Sequence, residues 1–208
     1  MKTSVLVAVA AVVIAAPALA SAKDGDRKTE LKIYLPMALF DGTPTDMKGD
    51  LGPDSGRVRK AFYVPKGTDA LLSTGKKVTS SDAYPEGGPL ELVTDGDKEG
   101  IDGCFVELGP GKQWVQIDLD EECVLSAVVV WHYHKMARIY RDVIVQVADD
   151  PDFITNVRTL FNNDKDNTLG LGIGRDYEYI ETNEGRLIDA KGVKARYMRF
   201  YSNSSTAS

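Results

Sequence analysis

Cysteine, histidine and clustered positive charge are scarce in this chain of 208 residues, which has two cysteines and two histidines. Two thiols are too few for a disulfide-rich scaffold or a four-thiolate zinc site. The 25 lysines and arginines are outnumbered by 31 acidic residues, and the formal net charge is −6. Because phosphate neutralisation requires a concentrated basic face, this composition argues against a nucleic-acid-binding protein.

Catalytic motifs and long amphipathic helices are also missing. The sequence contains neither a Gly-x-Ser-x-Gly elbow nor a His-Glu-x-x-His pair. Carboxylates are abundant, but no spacing pairs two of them as the acid and base of a glycosidase. After residue 22, no stretch shows helical periodicity or is apolar enough to span a bilayer. We therefore expect a non-catalytic protein built from strands.

The one long apolar run, residues 5–16, lies at the N-terminus. A single lysine precedes it, Pro17 ends it, and small-x-small cleavage sites end at Ala20 and Ala22. This order is typical of a secretory signal peptide. The run is shorter than the roughly 20 residues of a membrane helix, so a retained anchor is the weaker alternative. We predict that residues 1–22 are a signal, cleaved near Ala20 or Ala22, and that the protein is secreted to the periplasm or beyond.

Export permits a disulfide bond. Cys104 and Cys123 are 19 residues apart and flank a predicted strand, so they could lie on neighbouring strands. A bond between them would stabilise the fold by about 3 kcal/mol. Two independent thiols are the alternative.

The remaining chain divides into two regions. Residues 23–75 are rich in glycine, proline and charge, with short apolar islands, which predicts an extended, loop-rich segment that packs along the main domain or links it. From residue 76, short β-rich runs recur with turn signals between them, and residues 90–94 suggest one helical turn. We predict an all-β antiparallel sandwich over residues 76–208.

Five segments resemble one known family in the right order. Leu-Val-Thr-Asp-Gly-Asp at 92–97, Gln-Trp-Val-Gln-Ile-Asp-Leu at 113–119 and Lys-Ala-Arg-Tyr-Met-Arg-Phe-Tyr-Ser at 194–202 are the main three, and strands at 128–131 and 143–150 fit between them. The sequence is similar to the discoidin domain, also called the coagulation factor V/VIII type C domain, in its secreted bacterial form. The resemblance implies a jelly roll of the galactose-binding-like group.

The resemblance covers about residues 68–202, and the chain departs from the family after it. Family domains finish with another strand, whereas this sequence ends in a Ser/Thr/Asn tail. Either the C-terminal strand is lacking or an N-terminal segment substitutes for it. A missing strand would leave an exposed sheet edge.

The resemblance also implies a structural calcium ion at the Asp-Gly-Asp turn. Its ligands would be the Asp95 side chain and the backbone carbonyls of Leu92, Asp97 and Gly100. Calcium prefers six to eight oxygens, which such a turn supplies. The family's threonine near Gly100 and a glutamate in its final strand are missing here, so an ordinary turn without metal is the alternative.

A polar and aromatic stretch, residues 131–141, joins two predicted core strands and would lie at a rim of the sandwich. Sugar recognition combines flat aromatic faces with groups that hydrogen bond to hydroxyls, and sugar-binding members of the family use rim loops in this way. The predicted ligand-binding residues are Trp131, His132, Tyr133, His134, Arg138, Tyr140, Arg141, Asn162 and Asn163. The alternative is that the aromatic residues are partly core.

Three further patterns suggest metal or nucleotide sites, but each lacks a required element. His132 and His134 share one face of a strand, but spacing suggests no third zinc ligand. The acidic loop at 162–167 lacks the glycine and glutamate of an EF-hand, so we expect a solvated loop that could face a ligand. The glycines at 170–174 precede no helix, so we interpret them as a flexible loop.

The sequence thus predicts a secreted, non-catalytic module that binds a glycan or cell-surface ligand at one rim. The alternative is an adhesion or structural module with a protein or cell-surface partner. A glycan-active enzyme is less favoured.

Overall fold

The computed structural model describes residues 10–15, 28–40, 46–53, 55, 57–68 and 70–207. In this part of the chain one 3-10 turn, Leu90–Val93, is the only helical element, as expected, and no helix is long and apolar enough to cross a membrane. The strands are β1 (Ala10–Ala15), β2 (Lys28–Glu30), β3 (Tyr63–Pro65), β4 (Ala70–Leu71), β5 (Lys77–Ser80), β6 (Gln113–Trp131), β7 (Arg138–Arg141), β8 (Ile144–Ala148), β9 (Arg158–Asn162), β10 (Tyr179–Ile180), β11 (Arg186–Ser202) and β12 (Ser204–Ala207).

The strands form two main antiparallel sheets around one core. The larger sheet has seven strands in the order β4-β1-β6-β11-β8-β9, and β5 also pairs with β6. The smaller sheet has the order β10-β7-β12. Tyr140 of β7 and Tyr179 of β10 pack in the same apolar cluster as Val128 of β6 and Phe161 of β9. The predicted all-β antiparallel sandwich is confirmed.

The two longest strands, β6 and β11, carry two of the sequence motifs and pair with each other. Arg196 donates hydrogen bonds of 2.8 and 2.9 Å to Asp118. Arg199 donates bonds of 2.9 and 2.6 Å to Gln116. The hydrogen bonds from Arg196 hold the pKa of Asp118 below its usual value. These motif side chains therefore join the two strands.

The expectation of a lacking C-terminal strand is wrong. The Ser/Thr/Asn tail forms β12, in which Ser204 lies opposite Arg141 and Ala207 opposite Arg138. A short strand of this kind requires backbone partners rather than apolar side chains, so the polar composition of the tail concealed it.

The N-terminal segment packs on the sandwich. β2 and β3 form a small antiparallel sheet. Next to β2, the half-buried side chains of Leu31, Ile33 and Leu35 pack against Val129 and Trp131 of β6. Of the two alternatives for residues 23–75, the described part follows the one in which the segment lies along the main domain.

The predicted signal peptide is described only in part. Residues 1–9 and 16–22, which include both predicted cleavage sites, lie outside the described residues. Residues 10–15 form β1, which pairs with β6 from Ala10 opposite Trp131 to Ala15 opposite Leu125. Cleavage after residue 20 or 22 would remove this strand from the edge of β6.

Candidate functional site

The loop that was predicted to form a ligand-binding rim is folded inward. Trp131, His132, His134 and Tyr140 are at most 2% exposed, and Tyr133 is 7% exposed. The prediction that the three aromatic rings offer their faces to a sugar is therefore wrong. Tyr140 instead packs in the main core of the sandwich, whereas Trp131 packs under residues 31–35 of the N-terminal segment. Burial of large aromatic surfaces favours both arrangements.

His132 belongs to a closed polar network. Its ring Nδ1 lies 3.1 Å from Glu181 Oε2 and 3.2 Å from the hydroxyl oxygen of Tyr179, and its backbone N–H donates to the same glutamate oxygen at 2.9 Å. The side chains of His132 and Glu181 are 1% and 2% exposed. We call His132, His134, Tyr140, Tyr179 and Glu181 the histidine cluster. Buried polar groups of this kind form their hydrogen bonds with one another, because water cannot reach them.

His134 lies beside this network and turns away from it. Its Nδ1 is 3.0 Å from the carbonyl oxygen of His132, and its Nε2 is buried without a partner among the described residues. Gly100 lies directly against the ring, since a Cβ there would approach within 3.0 Å. Among the described residues, neither histidine belongs to a group of three potential metal ligands.

The two predicted ligand-binding arginines have internal partners. The guanidinium of Arg138 lies 4.8 Å from the centre of the Tyr133 ring. Arg141 Nε lies 3.6 Å from Glu178 Oε1. Both side chains are half-buried, and each contacts a residue that precedes a strand of the smaller sheet.

The two predicted asparagines fasten loops. Asn163 is fully buried, its side-chain amide donates to the Tyr140 carbonyl at 3.1 Å, and its Oδ1 accepts from the Val143 N–H at 2.7 Å. Asn162 is half-buried and donates from its side chain to the Gly172 carbonyl at 3.0 Å. Asn163 thus lies beside the buried residue Tyr140, and both asparagine side chains form hydrogen bonds with the backbone.

The predicted calcium turn has the hydrogen bonds of an ordinary Asx turn. The Asp97 N–H donates to Asp95 Oδ1 at 2.8 Å, and Asp97 Oδ1 accepts a further backbone bond of 2.8 Å. The ammonium of Lys98 donates to the Gly96 carbonyl at 2.8 Å, so a positive charge already occupies this turn. Leu92 lies in the 3-10 turn just before it. These contacts fit calcium poorly, and calcium here stays a prediction.

Three carboxylates approach one another in other loops. Oxygens of Asp142, Asp164 and Asp166 lie within 4.8 Å of each other, an arrangement that could hold a cation. Asp164, however, already accepts hydrogen bonds from Thr168 and from the Leu169 N–H. Burial raises the pKa of Asp142, and the charges of the other two carboxylates add to this effect.

The predicted disulfide is not formed, because Cys104 and Cys123 are both free thiols. A hydrogen bond with Asp97 raises the pKa of Cys104, and burial raises the pKa of Cys123, whose thiol lies 3.5 Å from the Glu121 carbonyl. The two cysteines therefore have separate surroundings, as in the second alternative.

A concave pocket that the sequence did not reveal lies between the N-terminal segment and the start of β11. Its volume is about 270 Å³. We call it the arginine pocket, and it is lined by Ser55, residues 57–62, Tyr179–Thr182 and Glu184–Leu187. It shares Tyr179 and Glu181 with the histidine cluster.

Hydrogen bonds fasten the outer wall of this pocket to the sandwich. Arg59 donates to the Glu184 carbonyl at 2.9 Å and lies 4.0 Å from the carboxylate of the same residue. Burial lowers the pKa of Arg59, although the charge of Glu184 opposes this. Asn183 donates to the Pro36 carbonyl at 2.9 Å and accepts from the Trp131 indole N–H at 2.8 Å. Hydrogen bonds of Arg59 and of Asn183 thus connect the N-terminal segment to the sandwich at two places.

Arg186 enters the pocket from the first position of β11. The preceding Gly185 has φ of +67°, and a Cβ there would lie 2.6 Å from the Trp131 ring, so the chain turns over the indole only with glycine. The guanidinium carbon of Arg186 lies 5.0 Å and 5.2 Å from the ring centres of Phe161 and Tyr179. Its Nε is buried, and the side chain forms no hydrogen bond or ion pair with any described residue.

One local signal could have indicated this pocket. Arg57, Arg59 and Lys60 place three positive charges within four positions of a chain whose net charge is −6. Arg186 lies more than 120 residues further on, so only the fold brings it to this run.

No family model and no curated protein matches this chain. Among solved structures, the CpGH89CBM32-4 module of Clostridium perfringens is similar with 15% identity and a TM-score of 0.46, over 66% of this chain and 85% of that one. The Streptococcus pneumoniae fucose binding module SpX-3 has 18% identity and a TM-score of 0.41, over 65% and 90%. A fucolectin from striped bass serum has 14% identity and a TM-score of 0.40, over 65% and 45%.

Proposed function

We propose that this protein is a non-catalytic module that binds a glycan in the arginine pocket. The observation that carries the proposal is that one concave surface combines apolar side chains with a guanidinium that has no hydrogen-bond or ion-pair partner among the described residues. Phe62, Ile180 and Leu187 supply apolar surface, while Thr182 and Arg186 supply hydrogen-bonding groups. Sugar rings offer an apolar C–H face and polar hydroxyls, and such mixed surfaces suit both.

The size of the pocket fits a small part of a glycan. A volume of about 270 Å³ lies just below the roughly 300–1,000 Å³ of sites for drug-sized ligands. One or two sugar rings are of this size. The rest of a longer chain would lie outside, across the exposed side chains of Arg57 and Val58.

The burial of the acid–base groups near the pocket supports binding without catalysis. His132 and Glu181 form the pair that could best exchange protons, but both side chains are at most 2% exposed. A general acid or base must come within hydrogen-bond reach of the substrate. Although Glu181 lies at the floor of the pocket, its oxygens are engaged with His132 and Thr182.

The proposal includes export by the predicted signal. N-terminal sequencing of the protein recovered from the periplasm and the culture medium tests it. The expected start lies just after Ala20 or Ala22, and an intact N-terminus on protein that stays in the cytoplasm would contradict it. The mature protein would lack β1.

A glycan array tests the binding proposal with the mature, folded protein. We expect selective binding that the free oligosaccharide competes away and that Phe62→Ala weakens. Lys77→Gln on β5 is the control, because it lies outside the pocket. A folded sample that binds no glycan would contradict the proposal. A protein partner captured from a cell-envelope fraction regardless of added sugar would instead favour the adhesion module.

A further inference from the structure

The charges of the arginine pocket point to one class of glycan. Four cationic side chains line it, Arg57, Arg59, Lys60 and Arg186, against two carboxylates. Glu181 binds His132, and Glu184 is paired with Arg59. The pocket is therefore positive, although the chain carries a net charge of −6. An acidic protein repels anions over most of its surface, so a local positive pocket decides where an anion binds.

Arg186 and Arg57 are the cations that remain available in it. Neither forms a hydrogen bond or an ion pair with another described residue. Both line the pocket, where the side chain of Arg57 is exposed and that of Arg186 is half-buried. A charge that is partly removed from water and has no counter-charge is costly, and an anionic ligand would remove that cost.

The orientation of Arg186 favours a planar or tetrahedral anion. Its guanidinium lies near two aromatic rings, which hold it in place through cation–π contacts. The N–H donors at its edge have no acceptor among the described residues. A guanidinium presents these donors as a rigid fork that matches two oxygens of a carboxylate or sulfate. A neutral hydroxyl can accept one such bond but leaves the charge unbalanced.

We infer that the arginine pocket selects acidic glycans, by binding a carboxylate or sulfate group of the sugar between Arg186 and Arg57. This inference rests on the proposed glycan-binding function and names the substrate class of the same pocket. Arg186 would contact the anion directly, and Arg57 would strengthen the attraction.

Matched glycan pairs test the inference with the mature protein. The pairs are a uronic-acid oligosaccharide with its neutral counterpart, and a sulfated galactan oligosaccharide with its unsulfated form. We expect at least about tenfold tighter binding of an acidic member, weakening as salt is added. The two arms separate recognition of carboxylate from recognition of sulfate.

Substitutions locate the effect. Arg186→Gln should lower acidic-glycan affinity about 10- to 100-fold, Arg57→Gln should lower it less, and Lys77→Gln should leave it unchanged. Circular dichroism and thermal unfolding verify that each variant is folded. Equal binding of acidic and neutral members, or an Arg186→Gln variant that keeps the preference, would overturn the inference and leave the proposed function standing. Binding of no glycan at all would overturn both.

Discussion

The histidine cluster and the arginine pocket share Tyr179 and Glu181 but differ in how their polar groups are satisfied. In the cluster, His132 and Glu181 bind each other and their neighbours out of reach of solvent. In the pocket, Arg186 has aromatic neighbours but no acceptor among the described residues. Residue types that suit a sugar site occur in both. The polar groups of the cluster lie in the interior of the fold, whereas the guanidinium of Arg186 lines a concave surface that a ligand can reach.

The largest expected effect is on stability, from Glu181→Ala in the cluster. The substitution leaves the ring and backbone N–H of His132 buried without their acceptor. We expect it to lower the free energy of unfolding by about 2 to 3 kcal/mol, measured by urea denaturation. Glu184→Ala at the pocket wall is the control, with an expected loss of about 1 kcal/mol or less. Similar losses for both variants would remove the distinction between the two regions.

A smaller effect, on binding alone, is expected from Phe62→Ala in the pocket. The half-buried ring supplies apolar surface to the ligand. Its loss should weaken glycan binding about 5- to 30-fold in a titration, while the unfolding free energy changes little. Unchanged affinity would mean that the ligand lies elsewhere on the molecule.

Tyr140→Phe should have the opposite signature. The buried hydroxyl donates to the Tyr133 carbonyl at 3.1 Å, and its removal leaves that carbonyl unsatisfied while the ring stays. We expect a loss of about 1 kcal/mol in unfolding free energy and no change in glycan affinity. A loss of binding in a fully folded variant would place the cluster within the site.

The smallest expected effect is on stability, from a substitution of Asp142. This residue lies outside both regions, and its negative charge is partly buried. Burial raises its pKa, so the folded state holds the proton more tightly than the unfolded state. Its stabilising contribution is present below the unfolded pKa of about 3.9 and is lost as pH rises through the folded value. Asp142→Asn should therefore raise stability at pH 7 but not at pH 3. Urea denaturation at both pH values measures this, and a less stable variant at pH 7 would contradict it.

Several elements could be predicted from the sequence because local signals specify them. Alternation and turn residues predicted the strands, and the motifs at 113–119 and 194–202 pair directly. The polar strand β12 could not be predicted, because it depends on backbone pairing with β7.

The inward folding of the loop could not be predicted either, because it depends on the distant N-terminal segment. Alternation places Trp131 and His132 on opposite faces of β6, and one face is usually exposed. Here residues 31–35 cover the tryptophan, while the Tyr140 ring lies 4.4 Å from the ring of His132. The same segment forms one wall of the arginine pocket, so that site also could not be found from local sequence.

The most direct test of this comparison is the affinity for one acidic oligosaccharide, measured by calorimetry on three proteins. They are the mature protein, its Arg186→Gln variant and its Tyr140→Phe variant, each verified as folded. We expect binding to fall about tenfold or more in Arg186→Gln and to be retained in Tyr140→Phe. Binding that survives in Arg186→Gln and is lost in Tyr140→Phe would contradict this expectation.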